Sequence, residues 1–206
     1  MGFFMKGQIY LITVVVIAMA LVGLKLASSP QTSIEQKKLL ETSLQTKIFE
    51  NLWQEYENNL IFSYFEDITL NTYDFSNFTR NKTEEKALKF NFLFIGSLAN
   101  SSSSQMNISV LNFLHEKINF NLELNSSPIQ SVSASSEDQG FYSTNFSFSP
   151  GLTYNLKFQI PSKNYEKNIT IITNTTRNVY VAFFDFELIS EQSTNKKIVE
   201  KSLVLP

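Results

Sequence analysis

The sequence contains no cysteine, one histidine, 6 glycines and 5 prolines among 206 residues. Without cysteine it has no disulfide staples, no thiolate zinc site and no thiol nucleophile, whichever redox compartment it occupies. The single histidine, His115, has only Glu116 as an acidic neighbour in sequence, so it reads as a structural or exposed side chain and no metal site is expected. No Gly-X-Ser-X-Gly elbow surrounds any serine, and the few glycines form no phosphate-cradling loop. Neither catalytic residues nor a cofactor is therefore expected, and the chain reads as a non-enzyme. The acid pairs Glu66-Asp67, Glu84-Glu85 and Glu137-Asp138 are adjacent, so on a strand they would point to opposite faces, and they read as solvated loop acids. Charge of one sign is lacking too: 17 Lys+Arg stand against 19 Asp+Glu, a net charge of -2, which provides no basic field for nucleic acid.

What the chain does have is an uncharged amino-terminal run. Residues 7–24, GQIYLITVVVIAMALVGL, lie between Lys6 and Lys25, and as a helix they span about 27 Å, close to the roughly 30 Å hydrocarbon core of a bilayer. A secretory signal peptide shares the basic start, although its apolar part usually covers only ~7–15 residues. Leu26-Ala27-Ser28-Ser29 offers small residues to a conventional signal peptidase, which leaves removal of the whole segment as the competing reading.

The boundary Lys6-Gly7-Gln8, followed at once by Ile9-Tyr10-Leu11-Ile12, resembles the class III signal peptide of archaeal type IV pilin-like proteins. The resemblance covers about 20 residues. It implies cleavage between Gly7 and Gln8 by a prepilin-type peptidase on the cytoplasmic side, with the apolar helix kept on the mature protein. The acid that the family carries a few residues into that helix is absent, and Ile12 stands there. The expected organisation is a short basic leader over residues 1–7 and a transmembrane helix over 8–27 in contact with membrane lipid. Counting Lys6 against Lys25, Lys37 and Lys38 would put the carboxyl-terminal part in the cytoplasm. The pilin-like boundary requires the opposite orientation, a single-pass protein of the cell membrane with its body outside the cell.

Pro30 breaks the helical pattern, and Ser33-Ile34-Glu35-Gln36 has the form of a capping box that opens a second helix. Leu40, Leu44, Ile48, Leu52, Tyr56 and Leu60 then recur every four residues, flanked by Leu39, Phe49 and Trp53. This predicts an amphipathic helix over 33–65 whose stripe packs either on the following domain or on identical or related pilin-like subunits.

Beyond Glu66 the period changes to two. Leu88 to Phe94, Ile118 to Leu124, Tyr142 to Phe148, Tyr154 to Ile160 and Ile169 to Thr173 alternate apolar with polar residues, and VYVAFFDFELI at 179–189 is apolar in both registers. Six or seven strands with no helical run between them predict an antiparallel β-sandwich over 67–206, and an α+β chain as a whole. The Ser-rich stretches 101–104 and 125–139 read as loops. The segment Phe148 to Leu156, with Pro150-Gly151 and Tyr154, resembles the corner of fibronectin type III and related immunoglobulin-like domains, which implies that the Tyr154 hydroxyl satisfies a nearby backbone group.

Asn-X-Ser/Thr sequons begin at Asn77, Asn81, Asn100, Asn107, Asn125, Asn145, Asn168 and Asn174. With 20 Asn and 40 Ser+Thr, random placement predicts about four sequons, so the excess favours an extracytoplasmic, glycosylated body. Asn107, Asn145 and Asn168 fall opposite the apolar positions of their strands and the other five fall in expected loops, so all eight are expected to face solvent. These readings converge on a membrane-anchored pilin-like surface protein with a structural role in filament assembly or adhesion. The alternative is a tethered extracytoplasmic binding module that does not polymerise, and the missing acid near Ile12 favours it.

Overall fold

The structure, a computed structural model, describes residues 38–60, 67–191 and 193–205. The expected membrane helix, the Lys6-Gly7-Gln8 boundary, the break at Pro30 and the capping box lie outside the described residues. Among the described residues no helix is long and apolar enough to cross a membrane. The chain divides into two units between residues 48 and 49.

Helix α1 covers residues 38–60. Within the amino-terminal unit, residues 38–48 expose Leu39, Leu40 and Leu44, and Thr42 and Thr46 return their hydroxyls to the carbonyls of Lys38 and Thr42. Within the second unit, residues 49–60 bury Phe49, Trp53, Tyr56 and Leu60, while Leu52 is only half-buried. Of the expected four-residue row Tyr56 and Leu60 are buried here, and the flanking Phe49 and Trp53 join them in place of Leu52.

A second helix, α2 (Ile68–Glu84), occupies a stretch expected to be part of the sandwich. Its buried positions, Ile68, Thr72, Ser76, Thr79, Arg80 and Thr83, keep helical spacing but are nearly all hydroxylic or charged. An apolar-stripe search passes over such a helix. Asp67 caps it, accepting from the backbone N–H groups of Thr69 and Leu70 at 3.0 and 3.1 Å. Thr72, Ser76 and Thr83 bond back to carbonyls four residues earlier, so their hydroxyls are satisfied without a partner outside the helix.

Nine antiparallel strands follow: β1 (Lys89–Asn100), β2 (Gln105–Phe113), β3 (Ile118–Leu124), β4 (Gln130–Ser136), β5 (Gly140–Ser147), β6 (Thr153–Ile160), β7 (Tyr165–Ile172), β8 (Val179–Ile189) and β9 (Thr194–Val204). They form a five-stranded sheet, β5-β2-β1-β8-β9, and a four-stranded sheet, β4-β3-β6-β7. The two-sheet antiparallel architecture agrees with the sandwich expectation. The expected loop 125–139 contains β4, an edge strand whose Ser131, Ser133 and Ser135 are exposed and whose Val132 and Ala134 are half-buried against the core. Its outward serines hide it from an apolar search.

Between the sheets lie Leu93, Ile95, Ile108, Val110, Phe120, Leu122, Phe158, Ile169, Val181 and Phe183. The other face of the larger sheet is aromatic: Phe90, Phe92, Phe94, Phe113, Phe184 and Phe186 are all at most 1 % exposed. That face is covered from within the same unit by residues 49–60 and α2. Tyr56 sits at the centre, with its ring 4.7 Å from Phe75, 4.8 Å from Phe92 and 5.6 Å from Phe186. Phe49 meets Phe186 at 5.0 Å, and Trp53 meets Phe184 edge-on at 5.9 Å. From β9, Lys197 lies 4.5 Å over the Trp53 ring and Lys201 pairs with Glu57 at 2.6 Å. Gly96 of β1 leaves room for the Tyr180 hydroxyl, which a Cβ there would strike.

Ser76 gives its only hydroxyl proton to the Thr72 carbonyl at 2.6 Å, so the Tyr56 hydroxyl is the donor in its 2.9 Å bond to Ser76 Oγ. Burial pushes the Tyr56 phenol above its ordinary range, which keeps that proton in place. Truncating Tyr56→Ala is expected to cost about 3–5 kcal/mol in chemical denaturation, as for a fully buried aromatic. Tyr56→Phe is expected to cost only about 1 kcal/mol, since the ring contacts remain and one hydrogen bond is lost.

Candidate functional site

The antiparallel connections sort the loops onto two poles of the sandwich. One pole carries the β1–β2, β3–β4, β5–β6 and β7–β8 loops, whose sole charged residue is Arg177. Its turns hold each other. The one proton of Ser101 Oγ is shared between the carbonyls of Asn174 and Arg177, Ser101 N–H donates to Asn178 Oδ1 at 3.0 Å, and Thr173 Oγ1 donates to the Leu152 carbonyl at 2.7 Å. The expected corner contact is present here: Ser149 N–H donates to the Tyr154 hydroxyl at 2.8 Å, and that hydroxyl donates to the Ser149 carbonyl at 3.2 Å. The opposite pole carries the α2–β1, β2–β3, β4–β5, β6–β7 and β8–β9 connections and is densely charged.

The sequons distribute unevenly over this frame. Asn100, Asn125 and Asn174 stand together at the uncharged pole. The Asn100 side chain accepts from the N–H groups of Ser102 and Ser103, and Asn174 accepts from those of Thr176 and Arg177. Each sequon therefore keeps its amide nitrogen turned away from these bonds. Asn145 on the edge strand β5 and Asn168 on the edge strand β7 are exposed. Two of the expected loop positions are corrected: Asn77 and Asn81 lie on α2, with the sequon hydroxyls of Thr79 and Thr83 buried beneath them. Asn107 is half-buried in the interior strand β2, where its amide donates to Ser143 Oγ and Asn145 Oδ1 at 2.9 and 3.0 Å. A glycan attaches at that amide nitrogen, next to a hydroxyl two residues on. In the folded chain the hydroxyl residues of five sequons, Ser102, Ser127, Ser147, Thr170 and Thr176, are exposed, whereas Thr79, Thr83 and Ser109, which serve Asn77, Asn81 and Asn107, are buried.

His115 lies at the charged pole, at the centre of a network that sequence spacing does not reveal. Arg80 is 6 % exposed and uses all three of its nitrogens. Nε donates to Glu84 at 2.9 Å, Nη1 to Asp138 at 2.8 Å and Nη2 to His115 Nδ1 at 2.6 Å. A guanidinium accepts nothing, so Nδ1 is the acceptor, and His115 Nε2–H donates to the Phe90 carbonyl at 3.0 Å. Asp138 also accepts from His115 N–H at 2.8 Å. The network pins the carboxyl end of α2 to β1 and to the β2–β3 and β4–β5 turns. Of the acids read from sequence as solvated, Glu84 and Asp138 pair with Arg80 in this network, while Glu85 and Glu137 are solvent-exposed and pair with the exposed Lys82 and Lys117. Among the described residues no group of His, Asp and Glu is arranged to hold a metal ion.

Burial of Asp138 by itself would raise its pKa, but the hydrogen bond and charge of Arg80, helped by His115, hold it below the ordinary carboxylate range. A depressed folded value means that Asp138 stabilises the fold above its unfolded pKa, and that this contribution is lost as pH falls through the folded value. Acid titration of the wild type should therefore show a loss of stability beginning below about pH 4. In Arg80→Met that loss is expected to shrink, and stability at neutral pH is expected to fall by roughly 2–3 kcal/mol, measured by denaturant melts across pH.

No family model matches the chain, and no curated protein or solved structure does either.

Proposed function

We propose that the chain is a membrane-anchored, pilin-like surface protein whose helix-and-sandwich body stands outside the cell and acts in filament assembly or adhesion. The observation that supports this best is the burial of the second half of α1. Residues 49–60 of α1 are built into the domain through Phe49, Trp53, Tyr56 and Leu60. An anchor upstream of such a helix would display the body at the membrane surface, as this reading requires. In the other unit, Leu39, Leu40 and Leu44 are uncovered, an apolar set that a related subunit or lipid would cover. The uncharged, hydroxyl-rich pole with its three sequons supports an extracytoplasmic body. The tethered module that does not polymerise keeps one specific observation in its favour, Ile12 in place of an acid.

Mass spectrometry of the chain from cell membranes tests the reading. The expected mature protein begins at Gln8 and stays with the membrane fraction, while an amino terminus at Met1 or near Ser28 would rule out prepilin-type processing. Shearing then separates assembly from tethering, since filament subunits leave the cell in high-mass material.

Glycopeptide mapping of the same material should place any glycan added after folding on Asn100, Asn125, Asn145, Asn168 or Asn174. Occupancy of Asn77, Asn81 or Asn107 would mean that modification precedes folding.

A further inference from the structure

At the uncharged pole the β3–β4 loop and the β5–β6 connection border an open groove of about 600 Å³. Asn125, Ser127 and Pro128 line it from the first loop, and Ser149, Leu152 and Thr153 from the second; no charged residue belongs to the wall. The frame is pinned by the chain itself. Gln130 Nε2 donates to Ser126 Oγ at 2.8 Å and to the Ser147 carbonyl at 2.6 Å, and its Oε1 accepts from Ser147 N–H at 2.8 Å. The Tyr154 hydroxyl holds both backbone groups of Ser149. Walls fixed in this way need little further ordering when something settles between them.

The groove also carries an attachment point. Asn125 is exposed and, with Ser127, forms a sequon whose two members both line the wall. Asn125 N–H donates to the Asn155 carbonyl at 3.2 Å, and Asn155 N–H donates back to Asn125 Oδ1 at 2.6 Å. This pair commits the amide oxygen to a residue outside the wall and fixes which end of the amide is nitrogen. Nδ2, the atom to which a glycan attaches, has no partner among the described residues, and neither have the hydroxyls of Ser127, Ser149 and Thr153. Leu152 is 55 % exposed, and Pro128 is exposed beside the sequon. Free hydroxyls that both donate and accept suit the edge of a sugar ring, and the two apolar side chains suit its C–H face.

We propose that this groove is the seat of the glycan on Asn125, whose first sugars are neutral and lie along Ser127, Ser149 and Thr153 with a C–H face on Leu152 and Pro128. The assignment rests on the extracytoplasmic reading above and adds where one glycan lies and what it does for the fold. At roughly 30 Å³ per water-sized group the volume takes about twenty such groups, enough for two hexose rings. Attachment at the wall selects the occupant. An open groove gives a free saccharide few contacts, whereas a tethered sugar meets it at an effective concentration in about the millimolar range. An acidic sugar would bring a charge that no residue of the wall pairs.

Glycopeptide mapping, thermal melting and NMR of the full chain purified from its own cells, in detergent micelles, test the seat. Ser127→Ala removes the sequon without removing a protein contact, because Asn125 keeps its bond to Asn155. Ser102→Ala removes the Asn100 sequon in the same way and is the control, since Ser102 is exposed and its hydroxyl has no partner among the described residues. A neutral glycan on Asn125 is expected, with nuclear Overhauser contacts from its first sugar to the Leu152 methyls. Ser127→Ala is expected to lower the melting temperature by about 2–4 °C, and Ser102→Ala to leave it unchanged. An unmodified Asn125, a glycan there without contacts to Leu152, or a Ser127→Ala chain that melts with the wild type would overturn the seat. An unmodified Asn125 beside an occupied Asn100 or Asn174 would do so while leaving the body outside the cell. A mature chain that does not begin at Gln8 would instead overturn prepilin-type processing and leave a seated glycan in place.

Discussion

The aromatic contact between residues 49–60 of α1 and the outer face of the larger sheet is the interaction on which the rest of the second unit depends. A strand with large apolar residues in both registers cannot sit at the surface of a two-layer sandwich without exposing one set of them. Tyr56, Phe49 and Trp53 cover that second set in β1 and β8, and α2 covers the neighbouring part. The sheet thus becomes the middle layer of three. Its central strands carry few polar side chains, because both of their faces are interior.

This layering explains where polarity collects. With the middle sheet closed on both sides, charge collects at the ends of the strands, at the edges and on the solvent faces, while the buried face of α2 is hydroxylic. One end holds the Arg80–His115–Asp138 network; at the other, neutral turns bond to each other.

Much of the fold is legible in the residues. The alternation in Ile118 to Leu124 and Tyr154 to Ile160 marks strands with one wet face, and the double-register run at 179–189 marks the covered strand β8. The Tyr154 corner is legible as well, because a Pro-Gly turn fixes the spacing of the hydroxyl from its backbone partner. Helix α2 and strand β4 are not, and for the same reason: both bury small hydroxylic or marginal residues, so periodicity of hydrophobicity carries little of their signal. The sequons are visible as a motif, but access to them is not. Whether Thr79 or Ser109 is buried depends on which face its element presents, and that follows from packing.

Local chemistry along the chain determined the element types with strong periods, the absence of thiol chemistry, the amino-terminal apolar run and the positions at which a glycan can be encoded. Tertiary structure alone decided which stripe of α1 is buried, that α2 exists as a covering helix, and that Arg80, His115 and Asp138 meet. The physical reason is range: backbone propensity and side-chain alternation act over a few residues, whereas burial and ion pairing depend on contacts between segments tens of residues apart.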